Sequence, residues 1–71
     1  MITLGDFLKT VGDEMILVVN ETLNKTYDAD KEAIKEHKSE WLYCVIKRVK
    51  IVGRNKFAIV VIGKGRKNEQ N

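Results

Sequence analysis

A chain of 71 residues, 44% hydrophobic and 32% charged, has the make-up of one small globular domain and not of a disordered protein. A single cysteine, Cys44, excludes an internal disulfide, and a single histidine, His37, leaves no Cys/His set at metal-ligand spacing. The longest apolar run, residues 57–62, is far short of a membrane span, and MITLGDFLK lacks the basic and apolar regions of a secretory signal, so with its lone reduced cysteine the chain is expected in the cytoplasm, without membrane contact.

Without disulfide or metal staples, a core this small depends on good packing or on self-association. The net charge of +3 is modest, but its distribution is not. Residues 1–40 carry five lysines against nine acidic residues, a net of −4, whereas residues 41–71 carry eight basic residues against Glu69 alone, a net of +7. Such a split either marks an anionic partner or lets the two halves neutralise each other, within the fold or between two copies.

Residues 1–12 read as a short helix. Thr3 is a good N-cap, Asp6 suits the first turn, and Leu4, Phe7, Leu8 and Val11 form one apolar face. Ile2 and Phe7 are spaced for a hydrophobic staple, and Gly12 for a left-handed stop. Residues 14–20, EMILVVN, form an apolar run of strand length with no polar alternation, as in a central strand or one covered on both faces. A turn around Asn24 returns the chain as a short second strand at Thr26-Tyr27.

Asp28 or Asp30 caps a second helix reaching residues 38–40, whose thin apolar face is Ala33, Ile34, His37 and Trp41. Residues 41–52 form a long third strand. Its alternation sets Val49 and Ile51 toward the core and Arg48 and Lys50 outward, but the phase breaks at Ile46-Lys47. A bulge there repairs the phase; the other reading makes the first residues the tail of helix two. A tight turn at Gly53-Arg54-Asn55 leads into an almost wholly apolar fourth strand, residues 56–62. Residues 63–71, GKGRKNEQN, read as a mobile basic tail.

The fold expected is α+β: a single small domain at residues 1–62 in the order helix-strand-strand-helix-strand-strand, its antiparallel sheet carrying both helices on one face. The alternative is a small curved sheet or barrel in which the second helix is an insertion.

No residue pattern supports catalysis. His37 lacks a nucleophile or metal partner at a recognisable spacing. Cys44 lies in an apolar run, where a thiol behaves as a small hydrophobe. Asp28, Asp30, Asp13 and Glu14 are explained by helix capping and strand-end solubility. Gly63-Lys64-Gly65-Arg66 resembles part of a phosphate-binding loop but lacks its spacing and its following helix. No catalytic residue, cofactor, metal or small-molecule substrate is therefore expected.

One constellation stands out: Arg48, Lys50, Arg54 and Lys56 on the second hairpin, with Lys64, Arg66 and Lys67 beyond it. Alternate side chains line one face of a β-ribbon, and a basic ribbon can follow a phosphate backbone, with Tyr43 and Trp41 as stacking surfaces. Lysines on an exposed hairpin also guard it against edge-to-edge aggregation, so the same residues suit a solvated or protein-facing surface.

The opening T-L-G-D-F-L-K-T-V, the acidic Gly12-Asp13-Glu14 and the strand M-I-L-V-V-N-E resemble the short accessory proteins of phages and conjugative elements of Gram-positive bacteria. The resemblance is one of pattern over roughly residues 3–62. It implies a non-enzymatic accessory role that modulates host machinery and brings no site residues with it. The function expected is a small binding or adaptor protein, contacting another protein or a second copy of itself through its sheet and the 41–62 hairpin. The alternative is nucleic-acid binding through the basic hairpin and tail.

Overall fold

Thr3 starts the first helix as its sequence suggests. Its hydroxyl accepts from the Asp6 amide at 3.2 Å, and the Asp6 carboxylate accepts from the Thr3 amide at 3.5 Å, a reciprocal capping box. The computed structural model describes residues 2–65. Helix α1 spans Leu4–Leu8, followed by strands β1 (Met15–Asn20) and β2 (Lys25–Ala29), helix α2 (Lys31–His37), a 3₁₀ segment (Ser39–Tyr43), and strands β3 (Val45–Gly53) and β4 (Lys56–Ile62). The α+β single domain anticipated from the sequence is the fold observed.

Several boundaries differ from expectation. Helix α1 ends at Leu8 rather than running to Gly12. Gly12 instead donates its amide to the Glu14 carboxylate at 2.8 Å, an alternative partner that a helical continuation would not need. Ile2, spaced for a staple with Phe7, is exposed, and its carbonyl accepts from the Ile46 amide at 2.9 Å. Strand β2 is longer than Thr26-Tyr27. Asp30 caps α2, its carboxylate accepting from the Ala33 amide at 2.9 Å. Residues 41–43 are neither strand nor a continuation of α2. They belong to the 3₁₀ segment, which swings Trp41 into the core while Lys38 lies 5.0 Å from the Trp41 ring centroid and 5.4 Å from that of Tyr27.

The sheet is mixed, not antiparallel throughout. Its order is β2-β1-β4-β3, with β1 and β4 parallel and the two hairpin pairings antiparallel. The two hairpins join through their most apolar strands, which therefore occupy the centre. Helix α2 and the 3₁₀ segment carry the chain from the β2 edge to the β3 edge. A bulge lies between Ile46 and Arg48, where the broken alternation placed it, and a second irregularity lies between Ile51 and Gly53.

Ile16 and Val18 from β1 and Ile59 and Val61 from β4 meet Leu4, Leu8, Val11, Ile34 and Trp41 from the helical layer. Fully burying each aliphatic side chain contributes about 1.5–3 kcal/mol, so this small set supplies most of the drive to fold. At one end of the core sits a fully buried polar residue, Asn20. Its amide Nδ2 donates to the Gly63 carbonyl at 3.0 Å, and its Oδ1 accepts from the Leu23 amide at 3.0 Å.

The chain past Ile62 is not simply a tail. The Gly63 amide donates to the Thr22 hydroxyl at 2.8 Å, and Gly65 passes so close to the 3₁₀ segment that a Cβ there would stand 2.6 Å from the Glu40 carbonyl oxygen. Both glycines have positive φ, 128° and 85°, which side chains rarely tolerate. The contacts of the domain thus continue to Gly65. The rest of the expected tail, residues 66–71, lies outside the described residues.

Candidate interaction surface

The alternation of β1 and β4 appears in burial where the sequence shows none. Ile16, Val18, Ile59 and Val61 point to the helical layer, while Leu17, Val19, Ala58 and Val60 point to the other face and are only half-buried. No helix covers that face among the described residues. The unalternating apolar runs therefore describe two central strands covered on one side, leaving an open apolar strip on the other.

Registers place the flanking residues. Lys50 pairs with Ala58, Ala58 with Leu17, and Leu17 with Asp28; one step along, Arg48 pairs with Val60, Val60 with Val19, and Val19 with Thr26. Directly paired residues share a face, so Arg48 and Lys50 line the β3 side of the strip and Thr26 and Asp28 the β2 side. The sequence correctly paired Arg48 with Lys50 on one outward face.

Two ion pairs bracket the strip. Lys56 at the start of β4 reaches over β1 to Asp28 at 2.8 Å, and Lys47 at the β3 bulge reaches Glu21, just beyond β1, at 2.8 Å. The aliphatic stems of such lysines shade apolar surface while their heads stay in water. The Lys47 hydrogen bond holds the Glu21 carboxyl below the usual carboxylate value, with the nearby positive charge of Arg48 adding to the effect. Exposed pairs of this kind are screened by water and contribute little, so they matter more as a rim than as a source of stability.

The expected core positions Val49 and Ile51 are exposed, at 42% and 73%. Their phase is as read, since they pair with Ile59 and Phe57 on the helical side. What fails is the cover. Helix α1 has five residues and α2 seven, about 7.5 and 10 Å of helix, against a nine-residue β3 of about 30 Å. Phe7 packs edge-on against Phe57 with ring centroids 6.0 Å apart, and this pair marks the limit of the helical layer; Ile51 lies beyond it.

β3 is also an edge strand. Among the described residues its outer side is occupied only at its beginning, where Thr3 bridges Val45, Leu4 donates to the Cys44 carbonyl at 2.9 Å and Ile46 donates to Ile2. From residue 47 to 53 every β3 side chain is exposed, and no other segment pairs with this edge among the described residues.

The basic constellation does not gather into one patch. Arg48, Lys50 and Arg54 are exposed and form no ion pair among the described residues, whereas Lys56 is engaged by Asp28. Lys64 follows the far end of β4 from Arg54, and that seven-residue strand holds the two about 20 Å apart. Tyr43 is 58% exposed but lines a cleft of about 380 Å³ on the helical side, with Lys9 and Lys35, away from the open face. Trp41 is buried and offers no stacking surface. Arg66 and Lys67 lie outside the described residues.

The residues set aside as structural have structural contacts. Burial pushes the Cys44 thiol up from its ordinary value, against the hydrogen bonds of the Asn20 side chain and the Gly65 backbone. His37 is exposed, 4.0 Å from Glu36. The Gly63 amide and carbonyl are both used inside the fold, which leaves little of a phosphate cradle there. Among the described residues no group of three or more His, Cys, Asp or Glu side chains is placed to hold a metal, and no helix is long and apolar enough to cross a membrane.

Sequence reasoning missed Lys47, Glu21 and the open strip. The available signal was the missing polar alternation in β1 and β4, which fits an uncovered apolar face as well as a doubly covered one. Comparison with family models, curated proteins and solved structures finds no match for this chain.

Proposed function

We propose that this chain is a small non-enzymatic binding or adaptor protein of a phage or mobile element, working in the cytoplasm through protein–protein contacts of its open sheet face and its β3–β4 hairpin. One observation carries the reading. Among the described residues no layer covers the strip Leu17, Val19, Ala58 and Val60, which is framed by ion pairs and by Arg48 and Lys50. A contiguous apolar surface with a polar rim is the anatomy of an interaction site.

A bait comparison in the host cell tests it. Wild type, the β3 variant Arg48→Glu/Lys50→Glu and the helical variant Glu32→Lys/Glu36→Lys should all fold. The expected result is a specific protein partner recovered by wild type and the helical variant and lost by the β3 variant. A partner lost only by the helical variant overturns the reading.

The second reading, nucleic-acid binding, rests on the exposed Arg48, Lys50 and Arg54, which no acid engages in an ion pair among the described residues. It requires an affinity that falls steeply with salt, by roughly one unit of log-log slope for each phosphate neutralised. The Lys56–Asp28 pair and the position of Tyr43 weigh against it, since both remove expected contacts from the ribbon. Nuclease-sensitive recovery by the wild-type bait would favour this reading over the first.

A further inference from the structure

We propose that the outer edge of β3 accepts an extended peptide strand in which acidic and apolar residues alternate. The proposal rests on the binding reading above and names the class of segment bound. A strand edge exposes unpaired N–H and C=O groups, and β-addition uses them for affinity while side chains supply specificity.

This edge already accepts extended backbone through one isolated bridge and its flanking hydrogen bonds. The segment Ile2–Thr3 adds to it at Val45 and Ile46, and that addition stops where the bulge at Lys47 begins. Between this bulge and the irregularity after Ile51 lies a regular stretch, residues 48–51, with register intact against β4. Among the described residues nothing pairs with the outer side of this stretch, and its residues are exposed on both faces.

The two faces of that stretch differ chemically. Arg48 and Lys50 stand on the open face and form no ion pair among the described residues; Val49 and Ile51 stand on the helical side beyond the cover of Phe7. Side chains directly opposite in a paired strand sit about 4.5–5.5 Å apart at Cβ. An incoming strand therefore meets two cations on one face and two β-branched apolar side chains on the other. Alternating carboxylates and aliphatic residues satisfy both at once. A one-residue slip sets carboxylates against Val49 and Ile51, so the register is specified.

The same chemistry disfavours two other occupants. Two copies of β3 joined edge to edge keep their basic faces on the same side, which brings Arg48 and Lys50 against their own copies. A phosphate backbone neutralises the cations but leaves Val49 and Ile51 in water.

The test is an anisotropy titration of the full chain with a short labelled peptide of alternating glutamate and valine. The controls are a peptide of the same composition with its glutamates in one block, an alternating lysine–valine peptide, and a single-stranded oligonucleotide. The alternating acidic peptide should bind best, with amide shifts centred on residues 47–53. Arg48→Glu/Lys50→Glu should weaken it by about tenfold or more and switch the preference to the lysine–valine peptide. Ile51→Ser, at an exposed position, should weaken both alternating peptides. Equal binding of the alternating and block peptides, or tighter binding of the oligonucleotide, overturns the proposal. If the alternating peptide fails while the β3 variant still loses its partner in the bait comparison, the interface reading stands and the strand-accepting edge falls.

Discussion

The side-chain amide of Asn20 donates to the backbone carbonyl of Gly63 at 3.0 Å, tying the end of β1 to the chain just after β4. The same side chain accepts from the Leu23 amide, so one buried residue shapes the β1–β2 turn and pins the end of the parallel pair. Asn20→Leu removes both bonds: the half-buried Leu23 amide loses this acceptor, and the half-buried Gly63 carbonyl keeps only the weak Cys44 thiol donor at 3.4 Å, a loss of about 1–3 kcal/mol for each group that water cannot reach. Urea unfolding should show a lower midpoint with an unchanged slope. A variant as stable as wild type would show that the buried amide is not what holds these segments together.

The glycines after β4 are predicted to be far less replaceable than the glycine before the hairpin turn. Gly65→Ala must hold φ near 85° and push its methyl within 2.6 Å of the Glu40 carbonyl oxygen. Strain of that kind costs about 1–3 kcal/mol before any clash is counted. Gly53→Ala meets nothing within 4 Å and needs no positive φ. Thermal unfolding of the two variants should therefore separate them clearly, with Gly65→Ala melting lower.

Cys44 is predicted to be inert in the native state, because burial raises its pKa and the thiolate is the reactive form. A thiol reagent should label it at the rate of unfolding, and denaturant should accelerate the labelling. A group whose folded pKa is raised stabilises the fold fully below its unfolded pKa and loses that contribution as pH rises through the folded one. Stability should thus decline above about pH 9. Cys44→Ala should lack this alkaline decline, although the cavity it leaves lowers stability at all pH values.

The Lys47–Glu21 pair makes the opposite prediction. The Glu21 carboxyl is held down chiefly by its hydrogen bond from Lys47. A lowered carboxyl stabilises the fold above its unfolded value and loses that contribution as pH falls through the folded one. An NMR titration should find Glu21 below the ordinary glutamate value, and Lys47→Ala should move it up toward that value. No movement would mean that the 2.8 Å contact is not maintained in solution.

Local signals in the sequence were legible wherever the chain answers to its neighbours. Thr3 and Asp6 announce the α1 capping box, and the misplaced Lys47 announces the bulge. The basic face of Arg48 and Lys50 follows from strand periodicity alone. The parallel joining of β1 to β4 was not legible, because nothing local distinguishes the two directions in which a pair of apolar strands can meet. The exposure of Val49 and Ile51 was hidden for a related reason: strand phase tells which face a residue is on, but cover depends on the length and placement of helices distant in sequence. Residues 41–43 suit a strand by composition, yet burying Trp41 and joining α2 to β3 favours a tight 3₁₀ turn there. Of the candidate site, the hairpin cations were legible and the open apolar strip between the ion pairs was not.

The central claim is that this domain meets its partner through β3 and the open sheet face, with the helical layer serving as cover for the core. A photo-cross-linking amino acid placed at Lys50, at Thr26 or at Glu36 in the host cell tests it most directly. All three positions are exposed; Lys50 and Thr26 flank the open face and Glu36 lies on α2. The account predicts a discrete protein adduct from Lys50 and Thr26 and none from Glu36. An adduct from Glu36 alone would contradict it.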